Sequence, residues 1–208
     1  MDDWGTDFLT TAIALLAIID PLGCTGTLLS ITEGDTPSRR QNQVLRGHLY
    51  ALILLLVFYF LGAHIMRTFN LTLDAVRVGG GLILVKIGFN LLSARAEPRS
   101  TKEEQADDRT RSDCAFFPLA MPLLAGPGAL TLVLTQGDLG PMSWGRSSAD
   151  LVAIVAAISA SLAVLLSTGW FVRVLGVSGM SAVSRIMGFL LVCISVQMIL
   201  LGIKGVMG

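Results

Sequence analysis

Charge is what this sequence has least of. Asp, Glu, Lys and Arg together make up 14% of its 208 residues, whereas a typical soluble domain carries about 25%. Hydrophobic residues make up 53% and the formal net charge is zero, so no basic surface points to nucleic acid as a partner. The composition excludes an ordinary soluble domain and predicts an integral membrane protein in contact with the lipid bilayer.

Cysteine and catalytic motifs are also scarce. Cys24, Cys114 and Cys193 share no CxxC spacing, and we interpret all three as small apolar fillers. No HExxH, GxSxG or Walker phosphate-binding sequence occurs, so we expect no enzyme, no metal and no resident cofactor. Aromatic residues reach only 7%, against 22 glycines, a balance typical of closely packed membrane helices.

The amino-terminal segment lacks the basic residues of a cleaved secretory signal. Residues 1–7 contain three aspartates and neither Lys nor Arg. We therefore expect the first apolar run to be retained as a membrane helix.

Apolar runs long enough to cross a bilayer are what the sequence has in abundance. Six can be read, at residues 8–32, 46–67, 75–92, 113–138, 150–173 and 185–204. The predicted fold is an all-α polytopic membrane protein. Its predicted organisation is a first three-helix repeat at 1–93, a charged cytoplasmic loop at 94–113 and a second three-helix repeat at 114–208.

Basic residues fall mainly on one side of these runs. Ten of them lie in alternate connections, namely Arg39, Arg40, Arg46, Arg95, Arg99, Lys102, Arg109, Arg111, Arg173 and Arg185. The opposite side carries three, Arg67, Arg146 and Lys204. Because cytoplasmic loops are enriched in Lys and Arg, we predict a multi-pass membrane protein whose basic loops face the cytoplasm and whose two termini both face outward.

The first run contains a single charged residue, Asp20, near its middle. An ionised carboxylate at that depth costs several kcal/mol unless it is paired, protonated or hydrated. Pro21 and Gly23 follow, and a proline interrupts the helical hydrogen bonds. The first helix is therefore predicted to be broken at a polar site inside the membrane.

The two halves of the sequence share this design. The fourth run is interrupted at Gly126, Pro127 and Gly128, 106 residues after the first interruption, and Arg77-Val-Gly-Gly aligns with Arg185-Ile-Met-Gly, 108 residues later. Three crossings per half place the halves in opposite orientation, which is the inverted-repeat plan of secondary transporters. The alternative is that Gly and Pro are simply tolerated in membrane helices.

Helix interruptions expose backbone groups that can bind a solute. The N–H groups that begin each second half-helix attract a carboxylate, and carbonyls released before each break, at 18–20 and 124–126, can accept an ammonium group. A small zwitterion such as an amino acid suits such a cavity. The predicted substrate-binding residues are Asp20, Pro21, Gly23, Cys24, Thr25, Gly126, Pro127, Gly128 and Thr131.

Two charged residues have alternative roles. Asp20 can bind the substrate ammonium, carry a coupling H⁺ or Na⁺, or cap the second half-helix as Asp commonly does. Lys86 lies about as deep in the third run as Asp20 does in the first, so we hypothesise a buried Asp20–Lys86 ion pair. The alternative is that Lys86 extends to the cytoplasmic surface.

Three stretches of the sequence resemble the signatures of the MarC family of bacterial and archaeal inner-membrane proteins. They are Asp-Pro-Leu-Gly at 20–23 with Ser-Ile-Thr at 30–32, the proline-rich run at 118–131, and Arg-Ile-Met-Gly at 185–188 running on to Gln197. The resemblance covers nearly the whole chain in the right order. It implies a six-helix protein of the inner membrane, whose outward termini would lie in the periplasm. It also implies a relation to transporters of neutral amino acids such as glycine and alanine.

This sequence departs from the family pattern at three positions. Cys24 replaces an Asn, Gly26 replaces a Pro, and Lys86 replaces a residue that is usually apolar. The expected function is a secondary transporter of a small neutral solute, coupled or not to H⁺ or Na⁺. The alternatives are an exporter of other small metabolites and a non-transporting scaffold that presents the charged loop to a cytoplasmic partner.

Overall fold

The computed structural model describes residues 4–32, 34–93, 113–137 and 144–207, and these form helices joined by short turns, without a strand. The helices are α1 (Trp4–Ile19), α2 (Pro21–Ile31), α3 (Pro37–Thr68), α4 (Leu73–Ser93), α5 (Ala115–Leu124), α6 (Pro127–Gly137), α7 (Trp144–Leu166) and α8 (Thr168–Met207). Most of the predicted charged loop, and with it the surface required by the scaffold alternative, lies outside the described residues.

Five spans of the described residues are long and apolar enough to cross a membrane, and α5 with α6 makes a sixth if that bent pair counts as one. The single spans are Trp4–Leu29, Pro37–Gly62, Leu73–Ser93, Gly145–Leu166 and Ser181–Met207. The prediction of an all-α polytopic membrane protein is therefore confirmed, with five or six spans.

Helices α3, α7 and α8 differ at their ends from the predicted runs. Helix α3 begins nine residues earlier than the apolar run, because Thr36 accepts a hydrogen bond from the Arg39 N–H and Pro37 occupies the first turn; both features favour a helix start. Helix α7 ends at Leu166, seven residues before the predicted end. Helix α8 is longer than predicted and is interrupted at Gly176, whose φ is +64°.

Prolines shape α5 into wide turns. The N–H of Leu119 donates to the Cys114 carbonyl at 3.2 Å and that of Ala125 to the Ala120 carbonyl at 2.8 Å. Each bond spans five residues instead of four, because the backbone is extended instead of helical at Phe117 (φ −125°, ψ 124°) and at Met121 (φ −131°, ψ 124°). Pro118 and Pro122 lie inside these turns and lack the N–H that an α-helical bond requires.

Small residues bring α4 and α8 into close antiparallel contact. A Cβ atom added at Gly81 would lie 2.9 Å from the Ser195 carbonyl oxygen, and one added at Gly88 would lie 3.0 Å from the Gly188 carbonyl oxygen. Higher numbers on α4 therefore meet lower numbers on α8. Helix backbones approach this closely in membranes because lipid supplies no hydrophobic drive for association and tight packing must replace it.

We expect Gly88→Val to destabilise the protein by about 1–3 kcal/mol, the usual effect of overpacking. The new side chain would meet the Val192 side chain 2.7 Å away and the Gly188 backbone. Thermal unfolding in detergent measures the effect, with Phe89→Val as the control, since Phe89 is 54% exposed on the same helix. Equal melting temperatures for Gly88→Val and the unchanged protein would contradict this packing.

Candidate functional site

The first helix is interrupted at Asp20, as predicted. Helix α1 ends at Ile19 and α2 begins at Pro21, and Asp20 has a φ of +43°, in the left-handed region that few residues other than glycine adopt. The hydrogen bonds nevertheless continue across the break. The Asp20 N–H donates to the Leu16 carbonyl at 2.9 Å, and the Asp20 carbonyl accepts from the Cys24 N–H at 3.0 Å.

The carbonyls before this break are therefore not all released, contrary to our expectation for 18–20. Besides the bond from the Cys24 N–H to Asp20, the Cys24 thiol donates to the Ile19 carbonyl at 3.1 Å. Cys24 is fully buried. The residue that departs from the family pattern here thus binds a backbone group of the break itself.

The Asp20 carboxylate caps α2 and reaches across to α8. Its Oδ1 accepts hydrogen bonds from the Gly23 N–H and from the Ser184 hydroxyl, both at 3.2 Å. Asp20 is 1% exposed. Capping was one of the roles predicted from the sequence, and it is present here; it satisfies an N–H that the start of a helix leaves without an intrahelical partner.

Gly23 makes room for this arrangement. A Cβ atom at Gly23 would collide with Oδ2 of Asp20 and lie 3.1 Å from the Ser184 hydroxyl oxygen. At Gly26, three residues later on the same helix, an added Cβ would meet nothing within 4 Å. The glycine of the Asp-Pro-Leu-Gly sequence is therefore a steric requirement of the buried carboxylate.

The structure does not bring Lys86 to Asp20. Lys86 lies on the exposed face of α4, whereas Asp20 is buried. The buried residues of α4 include Leu84 and Gly88. Lys86 lies two positions from each of them, and residues two positions apart point to nearly opposite sides of a helix with 3.6 residues per turn. The hypothesised buried ion pair is therefore wrong, and Lys86 lies on the outer surface of the bundle.

The second interruption is a real bend. Helices α5 and α6 meet at 63°, with Gly126 between them. A Cβ at Gly126 would lie 2.5 Å from the Pro122 carbonyl oxygen, so no larger residue fits there. The Gly126 carbonyl accepts the first helical bond of α6, from the Leu130 N–H at 3.0 Å, so one of the carbonyls expected to be released at 124–126 is also occupied.

The two interruptions lie next to each other. A Cβ at Gly128 would collide with a methyl group of Leu84 and lie 3.4 Å from the Ile18 side chain, two residues before Asp20. Gly128 is the second residue of α6 and Leu84 is fully buried. The first turn of α6, the end of α1 and the middle of α4 therefore converge.

The two threonines of the predicted site bond within their own helices. The Thr25 hydroxyl donates to the Leu22 carbonyl at 2.6 Å and the Thr131 hydroxyl to the Pro127 carbonyl at 2.8 Å. Thr25 is fully buried. Thr131 is half-buried, and a Cβ at Gly80 would collide with its methyl group. Thr131 was predicted near the site, but its contact with α4 was not predicted.

Ser184 and Leu84 were also missed. Ser184 directly precedes the Arg-Ile-Met-Gly sequence at 185–188, so it stood beside a feature already singled out. Leu84 belongs to an unremarkable apolar run. Neither residue carries a sequence signal of its contact, because each partner is far away in the sequence.

A second buried polar cluster lies at the end of the bundle where α1 begins. Oδ1 of Asp150 accepts from the Thr11 hydroxyl at 2.8 Å, and Oδ2 accepts from the Tyr59 hydroxyl at 3.4 Å. The Gln136 amide donates to the Thr11 hydroxyl oxygen at 3.1 Å. We call Thr11, Tyr59, Gln136 and Asp150 the Asp150 cluster. In the sequence, Asp150 marks only the boundary of the fifth run.

Groups of three or more His, Cys, Asp or Glu that could hold a metal ion do not occur in the part of the chain that the structure describes. The polar groups on these helices instead bond one another in pairs and small clusters. His48 is an example: it contacts the Val44 carbonyl through Nδ1 at 2.8 Å and the Ser161 hydroxyl through Nε2 at 3.2 Å.

Comparison with known proteins confirms the resemblance seen in the sequence. The family model described as MarC family integral membrane protein matches residues 5–207. The inner membrane protein MarC of Escherichia coli O1:K1 is 34% identical over 203 residues, covering 92% of this chain and 91% of that protein. The proteins of that name from Citrobacter koseri and Salmonella typhimurium are 33% and 34% identical, with the same coverage. No solved structure matches.

Proposed function

The chain belongs to the MarC family of integral membrane proteins, and we propose that this multi-pass inner-membrane protein is a secondary transporter of a small neutral solute, namely a neutral amino acid such as glycine or alanine. The observation that carries the proposal is the contact between two interrupted helices inside the bundle, where Gly128 of α6 meets Ile18 beside Asp20. Interrupted helices that meet at mid-depth build the binding sites of many secondary transporters.

The two interruptions have complementary electrostatics. The first carries the buried Asp20 carboxylate, which suits the ammonium group of an amino acid. The second begins α6 at Pro127 after Gly126, a residue without a side chain that could cap the helix. The positive end of the α6 dipole is therefore suited to the solute carboxylate. Small residues at both interruptions favour a small solute.

An inverted repeat is supported by which helices pack together. Helix α1 packs on α7, and α3 packs on α5 and α6. In the predicted repeat, the α1–α2 span corresponds to the α5–α6 span, and α3 corresponds to α7. The contact of α1 with α7 therefore corresponds to the contact of α5 and α6 with α3. Helices α4 and α8 form the most extensive contact between described helices. Because α4 corresponds to α8 in the predicted repeat, this contact corresponds to itself, as an inverted repeat requires.

The burial pattern supports the same repeat. The residues Gln43, Val44, Gly47, His48, Ala51 and Leu55 of α3 are all buried, and so are the residues 106 positions later, on α7. Between α4 and α8 the contacts favour a shift of 107 residues instead of the 108 predicted from the sequence alignment. A shift of 107 relates Gly81 to Gly188 and Gly88 to Ser195, so the contact of Gly81 with Ser195 corresponds to the contact of Gly188 with Gly88.

Transport would follow from rocking one three-helix repeat against the other, with both termini in the periplasm as the basic residues predict. Coupling to H⁺ or Na⁺ through Asp20 stays a prediction, as does the absence of an enzymatic activity. The exporter alternative has the same architecture and differs in its solute, another small metabolite, and in the direction of the solute gradient.

Radiolabelled glycine, alanine and serine should exchange across proteoliposomes that contain the purified protein. Gly128→Leu should reduce this counterflow at least tenfold, because the new side chain would fill the space between Leu84 and Ile18. Gly26→Leu is the matched control, since an added Cβ there meets nothing within 4 Å. Counterflow no faster than in protein-free liposomes for all three solutes would contradict the proposed function.

A further inference from the structure

The Asp150 cluster joins the two halves of the chain. Thr11 and Tyr59 belong to the first predicted repeat, whereas Gln136 and Asp150 belong to the second. All three hydrogen bonds of the cluster therefore cross between the repeats. The Trp4 indole N–H adds a fourth at the same end, donating to the Ser148 hydroxyl at 3.1 Å. A rocking movement of the repeats cannot open this end without breaking these bonds.

The hydrogen bonds depend on whether Asp150 carries a proton. As a carboxylate, Asp150 accepts from two hydroxyl donors, and bonds to a charged acceptor are roughly twice as strong as neutral ones. When one oxygen is protonated, it becomes a donor, so the hydroxyl that faces it must turn and accept, and the charge that strengthened both bonds disappears. Protonation thus weakens the contact between the repeats.

Opposing influences act on the charge of this carboxylate. Asp150 and Thr11 are each 1% exposed, and a buried charge loses the hydration it would have in water. The charged and titratable groups facing Asp150 are Arg146 from its own helix, Asp7 from α1 and Tyr59 from α3, and Gln136 from α6 is neutral. The Arg146 guanidinium attracts the negative charge of this carboxylate, and the Asp7 carboxylate repels it.

Asp150 has no counterpart at the related position of the other half. The position 106 residues before Asp150 is Val44, so the related position in the first half of the chain carries no titratable group. Under the predicted orientation, the Asp150 end faces the periplasm. At the other end of the bundle, Arg46 and Asp113 form an ion pair at 2.8 Å instead. The Asp150 carboxylate is therefore a feature of the periplasmic end, where a proton from outside could reach it.

We propose that Asp150 is a proton-binding site that controls the periplasmic gate: the carboxylate holds the two repeats together through Thr11 and Tyr59, and its protonation releases them. The chemical step is the addition of one proton to the carboxylate to give a carboxylic acid, and no other covalent bond forms or breaks. The inference rests on the proposed function, because it assumes that the two repeats move against each other. It assigns the coupling proton to Asp150, and leaves Asp20 as the cap and solute contact.

Trp4 reports on this gate without requiring any transport. In a protein carrying Trp144→Phe and Trp170→Phe, Trp4 is the remaining tryptophan, and it loses its bond to Ser148 when the gate opens. We expect its emission to shift to longer wavelength as the pH falls. Asp150→Asn should show the acid-form emission at every pH.

Asp74→Asn is the matched control for this titration. Asp74 lies at the start of α4 and bonds Arg77 of its own helix at 3.1 Å, and its removal should leave the shift unchanged. If Asp150→Asn does not fold, Thr11→Val removes one donor to the carboxylate and should move the midpoint of the transition to higher pH. A wild-type emission that does not change with pH, or a transition that persists in Asp150→Asn or stays in place in Thr11→Val, would overturn the proposal.

A flux measurement separates this inference from the proposed function. With external acid imposed on proteoliposomes, radiolabelled alanine uptake should rise at least several-fold in the wild type and stay flat in Asp150→Asn, which should retain alanine counterflow. Equal stimulation of both proteins would overturn the gate and leave the transport proposal standing. A wild-type protein that moves no alanine, glycine or serine, yet shows an Asp150-dependent Trp4 transition, would overturn the transport proposal alone.

Discussion

Gly23→Ala is expected to lower the stability of the protein by about 2–4 kcal/mol, because it displaces the Asp20 carboxylate. The added methyl group would collide with Oδ2 of Asp20. A lost amino-terminal cap costs about 0.5–2 kcal/mol, and a buried polar group left without its partner costs about 1–3 kcal/mol. Solute counterflow should fall with it, since the charge of the first interruption would no longer be held in place.

Gly26→Ala is the matched control, because it adds the same methyl group one turn further along α2, where nothing lies within 4 Å. Thermal unfolding in detergent compares the two variants. A second substitution, Asp20→Gly, should partly restore the stability of Gly23→Ala, since it removes the colliding carboxylate and glycine readily adopts the positive φ of that position. Additive losses in the double variant would show that the collision is not the cause.

The spans of this protein could be predicted from the sequence because the bilayer imposes a length on each apolar run. Hydropathy does not show where a helix extends beyond its apolar run into water. Helix α3 begins at Pro37 because Thr36 caps it, and the early turns that carry Arg39 and Arg40 are too polar to be counted as membrane. The capping pattern of Thr36 followed by Pro37 would have predicted the start of α3.

The two interruptions could be located from the sequence, but their shapes could not. Proline and glycine mark both places, yet α1 and α2 remain one span while α5 and α6 bend by 63°. The difference depends on how each break is completed. At the first, the Asp20 side chain caps α2 and its backbone continues the hydrogen bonds, whereas Gly126 offers no side chain at the second.

Contacts between residues that are far apart in the sequence could not be predicted. Matching depths suggested that Asp20 and Lys86 meet, but depth does not determine which way a helix faces. Asp20 accepts a hydrogen bond from Ser184, which lies 164 positions away in the sequence. Asp150 was equally hidden, because its partners Thr11 and Tyr59 come from two other helices and no local pattern brings the three together.

Gly80→Val and Gly79→Val should differ sharply, although they are neighbours on α4. A Cβ at Gly80 would collide with the Thr131 methyl group, whereas one at Gly79 meets nothing within 4 Å. Overpacking usually costs about 1–3 kcal/mol, and here it would also push the first turns of α6 away from α4. We expect Gly80→Val to be destabilised by about that amount and to lose at least tenfold in solute counterflow, with Gly79→Val close to wild type in both.

A double-mutant cycle identifies the contact responsible. Thr131→Ala removes the colliding methyl group, so it should recover part of the stability lost in Gly80→Ala, and contacting residues commonly show such coupling at about 0.5–3 kcal/mol. If Thr131 also contacts the solute, stability should recover in the double variant while counterflow does not. Recovery of neither would mean that α6 does not pack on α4 through these two residues, and the second interruption would then lack the support that keeps it beside the first.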